Sequence, residues 1–483
     1  MNRRLAGFAL ATCALAGCSL APPYKAPVAD VPDSYKEAGP WQPAAPADQH
    51  ERGDWWRDYG DATLNDLESR VDAANPDLAA AADRYAQARA YSAETRAALF
   101  PQVDAAAGAT HNRQSDKRPL RSATQPDEYH DNLLGAQLGY ELDLWGRVRN
   151  LVAAGEATAE ASAADLASVR LSLHAELAND YIALRGLDAQ SKLLDDTVAA
   201  YARALSLTQN RFQGGAASGL DVARAQTQLD SARAQATDVQ ARRALLEHAI
   251  ASLVGTPASK FSLPMEVVEL IEPTIPAGLP STLLERRPDV AAAERRTAAA
   301  NANIGIARAA FFPSITLNAA GGYENTGGAD WLSAPNLFWS IGPHAFFTLF
   351  DAGRREARVE QARAALDEAG ERYRATTLVA FQQVEDNLAL MHLLGEEAKS
   401  EAAAAASAQR TLNLALDRYR NGAVSYLEVV TSQTDALQAQ RTLLGLRDRE
   451  LQASVGLIRA LGGGWVPDET AAASPAVAAA IRN

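Results

Sequence analysis

The hydrophobic residues follow two periodicities along the chain, one typical of helices and one typical of strands. The same order of helical and strand-like segments occurs twice. Residues 146–213 and 353–420 lack proline and are dense in Ala, Leu, Glu, Gln and Arg, which favour helix. Helices of that length would extend for about 100 Å, which predicts a coiled coil or the wall of a helical tube. Shorter helices are predicted on either side of each long one, at 76–99, 218–254, 288–311 and 425–461.

Four shorter segments alternate apolar and polar residues with the period of two that is typical of strands: 101–110, 133–144, 313–323 and 337–350. About ten residues is the length of a tilted membrane strand. Residues 311–350 hold nine of the chain's 31 aromatic side chains, which fits the interfacial belts of a membrane protein. The alternative, the core of a small soluble sheet, leaves no sequence to cover four apolar strand faces. Because Pro343 lacks an N–H donor, we expect a local distortion in the last strand.

The order of these elements repeats, which indicates a tandem duplication. Asn75-Pro76-Asp77 returns as Arg287-Pro288-Asp289, offset by 212 positions, and Arg211-Phe212 returns as Arg418-Tyr419, offset by 207. Asn75 is the predicted N-cap of the helix that follows it. The predicted organisation is a signal peptide (1–17), an N-terminal segment (18–75), repeat 1 (76–256), a connector (257–287), repeat 2 (288–463) and an Ala-rich tail (464–483).

Four strands per chain have a consequence for assembly. A sheet with open edges cannot span a bilayer, and four strands are too few to close a barrel. The chain must therefore oligomerise, as a dimer, a trimer or a tetramer. The predicted fold class is mainly α with a small membrane β-barrel and a long α-helical coiled-coil barrel.

The N-terminal residues predict where the protein is located in the cell. A basic start and the apolar run Leu5–Gly17 form a signal peptide, and Leu15-Ala16-Gly17-Cys18 has the spacing of a bacterial lipobox. Cleavage would leave Cys18 as a lipidated N-terminus, and Ser19 after it points to the outer membrane. The alternative is an ordinary secretory signal with a chance cysteine. The apolar run Leu5–Gly17 is too short to span a bilayer, and nothing beyond it reaches 18 consecutive apolar residues, so no transmembrane helix is predicted.

Composition and motifs exclude several classes of function. The formal net charge is -13 without a basic stripe, which argues against a nucleic-acid partner. The seven His residues show no metal-site spacing in the sequence, and there is no P-loop or dinucleotide motif. Cys13 leaves with the signal peptide, so no disulfide remains possible within the mature chain. The sequence predicts no enzyme, no cofactor and no metal site.

The lipobox, the duplication, Phe100-Pro101, Phe312-Pro313 and the stretch from Tyr419 to Val429 together resemble TolC-type outer-membrane efflux proteins, in particular their lipidated OprM/NodT-like branch. The resemblance implies a homotrimer with a 12-stranded barrel and a 12-helix tunnel. It also implies a periplasmic adaptor (membrane fusion protein) and an inner-membrane RND-type pump as partners, exporting drugs, toxic compounds or metals. The competing hypothesis is a structural coiled-coil lipoprotein of the envelope without a pore, which has no use for four alternating strands.

Two helical turns carry the candidate site. Ser218-x-x-Asp221 and Ser425-x-x-Glu428 have the spacing of helix capping boxes, which by itself accounts for these residues. In a trimer the carboxylates would also form acidic rings that favour cations. The resemblance places Asp221, Glu428 and Tyr419 at the periplasmic aperture.

A departure from the family pattern leaves a second interpretation of the aperture. Val424 and Thr431 stand where a family member carries arginine and aspartate, so an apolar constriction by Leu427 or Val424 is the alternative to an ionic one. Helix C-capping explains the turn glycines. The turns are also the surfaces that an adaptor would meet, through Gly214, Gly215, Ser218, Asn421, Gly422 and Ser425.

Overall fold

The structure is a computed structural model that describes residues 19–27, 31–32, 34–37, 53–119, 122, 124–275, 286–327 and 330–464. The predicted signal peptide, Cys18 and residues 465–483 of the tail lie outside the described residues. The described chain is mostly helical and contains one four-stranded antiparallel sheet.

The helices flank the strands in the same order in both halves. They are α1 (Ala62–Ala74), α2 (Pro76–Ala97), α3 (Arg147–Gln213), α4 (Gly219–Leu253), α5 (Pro288–Ala309), α6 (Arg354–Arg420) and α7 (Tyr426–Ala460), with short 3-10 helices elsewhere. Within the described residues, none of these helices is both long enough and apolar enough to cross a membrane. The sequence pattern did not predict α1, which Asp61 caps by accepting a hydrogen bond from Leu64 N–H at 2.8 Å.

The starts of α2 and α5 show how the two halves use different residues for one task. The predicted N-cap Asn75 is confirmed, because its side-chain oxygen accepts from the N–H groups of Asp77 and Leu78 at 2.9 Å. Its amide also donates to Leu253 O, the last carbonyl of α4, at 2.8 Å. At the equivalent position Arg287 donates to Ala460 O, the last carbonyl of α7, at 3.1 Å. Each residue therefore joins the start of one helix to the end of another.

The sheet has the strand order β1 (Gln102–Arg113), β2 (Glu128–Glu141), β3 (Ser314–Asn325) and β4 (Leu337–Phe346). The strand ends differ from the prediction by up to five residues. β2 starts at Glu128 rather than at 133, because its polar first residues pair with the end of β1. Backbone pairing needs no apolar side chain, so the alternation that marks a strand stops before the strand does.

The prediction of a local distortion at Pro343 is wrong. Pro343 pairs with Leu317, and the register runs through it without a bulge. β4 is an outer strand of the sheet, and a proline there can turn its missing N–H away from its neighbour.

The described chain divides into two compact units. One unit contains Tyr85–Ser162 and Ala293–Tyr373, and therefore the whole sheet. The other contains Ala163–Ala292 and the chain from Arg374 onward, with α1 and both turns of interest.

A buried polar cluster in the second unit joins α1 to α3. His174 Nδ1 lies 2.6 Å from the Glu68 carboxylate and its Nε2 lies 3.1 Å from that of Asp72. Arg170 donates to Asp72 at 2.7 Å, and the Trp56 ring stacks on the imidazole with centroids 4.4 Å apart. Glu68 is fully buried, so its carboxyl depends on His174 for compensation.

Candidate functional site

The register gives the sheet one apolar face. Residues directly opposite each other in antiparallel strands point to the same side, and the register aligns Val103 with Leu138, Ala319 and Ile341 in one row. The neighbouring rows on this side add further apolar residues, among them Ala105, Ala107, Leu134, Ala136, Tyr140, Leu317, Tyr323, Leu337 and Trp339. The sheet therefore presents an apolar surface, which ends at polar rows on the same side that contain Asn132, Asn325, His111 and His130.

The opposite face is mostly polar or small. It carries Gln102, Asp104, Thr110, Gln137, Thr316, Asn318, Glu324, Ser340 and His344, with several glycines and four larger side chains, Tyr129, Leu133, Phe338 and Phe346. Membrane β-barrels show this distribution, because their outer face contacts lipid and their inner face contacts water.

Among the residues that the structure describes, nothing covers the apolar face. Trp339 is 73% exposed, Ile341 66% and Val103 65%. A contiguous apolar surface of this kind marks contact with a membrane or a partner rather than with water.

The two turns between long and returning helices share one backbone design. The first turn has Gly215 at φ +72° and the second has Gly422 at φ +75°. Ala216 N–H donates to Arg211 O, and Ala423 N–H donates to Arg418 O, at 2.7 and 2.9 Å. Both helices thus end in a Schellman motif, which needs a residue that tolerates positive φ.

The capping box is present at the first turn. Ser218 Oγ accepts from Asp221 N–H at 3.2 Å, while Ser218 N–H donates to the Asp221 carboxylate at 3.1 Å. Asp221 is half-buried and lies 3.9 Å from Arg224. The Asp221 carboxylate is therefore partly neutralised and hydrogen-bonded by groups of its own chain.

The capping box predicted at the second turn is wrong. Among the described residues, no side-chain hydrogen bond caps α7 at Ser425. Tyr426, the first residue of α7, is instead 2% exposed, and its ring meets that of Tyr419 edge-on at 5.2 Å. Aromatic packing therefore fixes this helix start, and Glu428 stays exposed.

One apolar cluster packs all four helix ends together. It contains Tyr201 and Leu205 of α3, Leu229 of α4, Tyr419 of α6, and Tyr426 and Val429 of α7. Tyr419 is only 4% exposed, so the structure places it inside the packing of its own chain. Val424 is half-buried against the same cluster, whereas Leu427 is 50% exposed.

Arg211 also belongs to these turns, although the sequence did not mark it as a site residue. Its guanidinium lies 4.7 Å above the Tyr419 ring and donates to Tyr419 O at 2.6 Å. The arginine of the first turn therefore binds the last turn of α6 in the second half. The only signal in the sequence was its place in the repeated Arg-aromatic pair.

The remaining candidate residues lie on the surface of the turns. Gly214, Gly215, Ser218, Asn421, Gly422 and Ser425 are all exposed. Among the described residues, no group of three or more His, Cys, Asp or Glu side chains could hold a metal ion.

Comparison with known proteins identifies the family. The model of the outer membrane efflux protein family matches residues 67–256 and 279–463. The chain belongs to the outer membrane efflux protein family.

Curated relatives of this family match along nearly the whole chain. The antibiotic efflux pump outer membrane protein ArpC of Pseudomonas putida is 34% identical over 96% of both chains. The pyoverdine export outer membrane protein OpmQ of Pseudomonas aeruginosa is 32% identical over 86% of this chain and 88% of its own.

Solved structures of outer-membrane channels have the same fold. The outer-membrane channel OprN superposes with a TM-score of 0.87 at 29% identity, and the match covers 93% of this chain and 100% of the OprN chain. CusC superposes with a TM-score of 0.82 at 28% identity, covering 92% and 100%. This efflux protein is therefore an outer-membrane channel component of an efflux pump, and its family is one of conduits rather than of enzymes.

Proposed function

We propose that three copies of this efflux protein form a passive conduit, with a 12-stranded barrel in the outer membrane and a 12-helix tunnel in the periplasm. The two-faced sheet carries the proposal. β1 and β4 are its outer strands, and open strand edges are not tolerated in lipid. Joining β4 of one copy to β1 of the next removes every open edge, places the apolar face toward lipid and turns the polar face toward a lumen.

The cargo is proposed to be small molecules. Relatives are named for antibiotics, toluene and pyoverdine, which share small size rather than one chemical group. A mostly polar lumen would admit such cargo without recognising one chemical group. A periplasmic adaptor and an inner-membrane RND-type pump would supply the energy and the selectivity.

The two turns are proposed to form the periplasmic aperture and the adaptor contact. Glu428 and Leu427 are exposed and available to a neighbouring copy, while Asp221 is partly engaged by Ser218 and Arg224. The exposed glycines of both turns offer backbone surface to an adaptor. Tyr419 would act there through packing, since its ring is buried in its own chain.

A lipid anchor on Cys18 is proposed to hold the chain at the outer membrane. The lipobox spacing supports it, and Ser19 after the cysteine supports outer-membrane sorting. The competing structural lipoprotein would carry the same anchor but form no pore.

Two neighbouring residues of β4 give a matched test of the barrel. Ile341 lies on the apolar face and Ser340 on the polar face. An arginine on the lipid-facing side of a barrel costs about 2–4 kcal/mol, whereas lumen positions tolerate charge. Ile341→Arg should therefore reduce assembled protein in outer membranes, while Ser340→Arg should assemble and shift ion selectivity.

The oligomeric state completes the test. One chain has a mass of 51.3 kDa, so a trimer extracted in detergent should have a protein mass of about 150 kDa. A conducting monomer, or equal assembly of the two arginine variants, would overturn the proposed barrel.

A further inference from the structure

Two histidines stand directly opposite each other on the β1–β2 hairpin. The register pairs His111 with His130, two residue pairs before the pairing ends at Arg113 and Glu128. Their ring centroids are 4.5 Å apart and the ring planes meet at 48°. Both residues are exposed and on the same side of the sheet, as directly opposed residues must be.

The surroundings combine one negative and one positive group. The Glu128 carboxylate lies 3.5 Å from His111 Nε2. Arg113 is paired with Glu128 and lies on the same side of the sheet. The carboxylate lies beside one ring nitrogen of His111, and its negative charge counters that of the arginine, which would otherwise oppose a cation at this position.

We propose that His111 and His130 together bind one divalent transition-metal ion, with water in the remaining coordination positions. Metal–nitrogen bonds of about 2.0–2.1 Å place two imidazole nitrogens on one ion about 3–4 Å apart. The ring centroids are 4.5 Å apart, and we expect a change of side-chain rotamer to bring one nitrogen of each exposed ring to that separation.

Ligand chemistry fixes the class of ion. Imidazole favours Cu²⁺, Ni²⁺ and Zn²⁺, with Cu²⁺ bound most tightly, whereas Ca²⁺ and Mg²⁺ prefer oxygen ligands. Bound metal would join β1 to β2 close to the end of their pairing. Because both ligands belong to one hairpin, the site does not depend on the proposed trimer.

Copper titration of the full-length protein tests the site. The protein is purified in detergent without a histidine tag, stripped with a chelator and titrated with Cu²⁺ by calorimetry at pH 7.5. His111→Gln and His130→Gln should each weaken binding by more than about tenfold, since each leaves a single imidazole. Copper electron paramagnetic resonance should show two coupled nitrogens in the wild type and one in either variant.

Two other exposed histidines serve as controls. His248→Gln and His392→Gln change side chains on α4 and α6 and should leave the site intact. Unchanged channel conductance shows that the hairpin variants are folded. Equal copper affinity of the double hairpin variant and the wild type, or no saturable binding by the wild type, would overturn the proposal.

Discussion

The buried cluster of Glu68, His174 and Asp72 should make the docking of α1 depend on pH. Burial raises the pKa of Glu68 to about 7, although His174 acts against it. Burial lowers the pKa of His174, but hydrogen bonds and charge from Asp72 and Glu68 outweigh it, so that its net pKa is raised. For Asp72, His174 and Arg170 outweigh burial and lower the pKa, which keeps this carboxylate ionised.

Both raised pKa values act in the same direction. Between the unfolded pKa of about 4.5 and the folded value of about 7, the folded state holds the Glu68 proton more tightly than the unfolded state. Stability therefore falls as the pH rises through this window. The His174 contribution is complete below about 6.5 and is also lost as the pH rises through its higher folded pKa.

The size of the effect follows from the shift of Glu68. A difference of about 2.5 pKa units corresponds to about 3 kcal/mol, or roughly a three-hundredfold change in an opening equilibrium. Glu68→Gln keeps the shape and a hydrogen-bonding oxygen for His174 but cannot ionise. This variant should lose most of the pH dependence between pH 5 and 8.

Hydrogen–deuterium exchange of α1 peptides, corrected for the intrinsic pH dependence of exchange, measures the local opening equilibrium. Asp66→Asn is the control, because Asp66 is an exposed carboxylate on the same helix. It should retain the wild-type pH dependence. Identical profiles for the wild type and Glu68→Gln would refute the linkage argument.

Three further predictions concern other parts of the molecule. Cys18→Ala should abolish acylation and processing by the lipoprotein route, which mass spectrometry of the N-terminus would show; an acylated variant would contradict this. Asp221→Asn combined with Glu428→Gln should lower cation selectivity in planar bilayers, with Glu428→Gln alone giving most of the change; unchanged reversal potentials would leave both as structural residues. Gly322→Ala should destabilise the sheet to heat, because a Cβ there would lie 2.3 Å from Leu134 O, whereas Gly342→Ala has open space and should be neutral.

The helices and strands could be predicted from the sequence because one property dominates in each of them. Long runs of helix formers without proline have one favourable outcome, and alternation reveals a strand whose two faces meet different surroundings. The polar start of β2 follows neither rule, since only pairing with Arg113 and its neighbours makes Glu128 part of a strand. The ends of elements depend on such partners, which a sequence does not display.

The histidine pair shows the same limit for a site. His111 and His130 lie 19 residues apart, a spacing that belongs to no metal motif. The hairpin register alone sets the two rings against each other. Arg211 is similar, since its contact with Tyr419 crosses from one repeat to the other.

The two turns show how a duplicated unit can divide a task. Both keep the Schellman motif, because a helix that reverses within a few residues needs positive φ at Gly215 or Gly422. The starts of the returning helices then diverge. The first uses a carboxylate as a cap, which ties the Asp221 charge to Ser218. The second uses the buried ring of Tyr426, which leaves Glu428 without that task. A carboxylate that is not needed for the helix start can serve the aperture, so the electrostatic contribution to the channel should lie mainly in the second repeat.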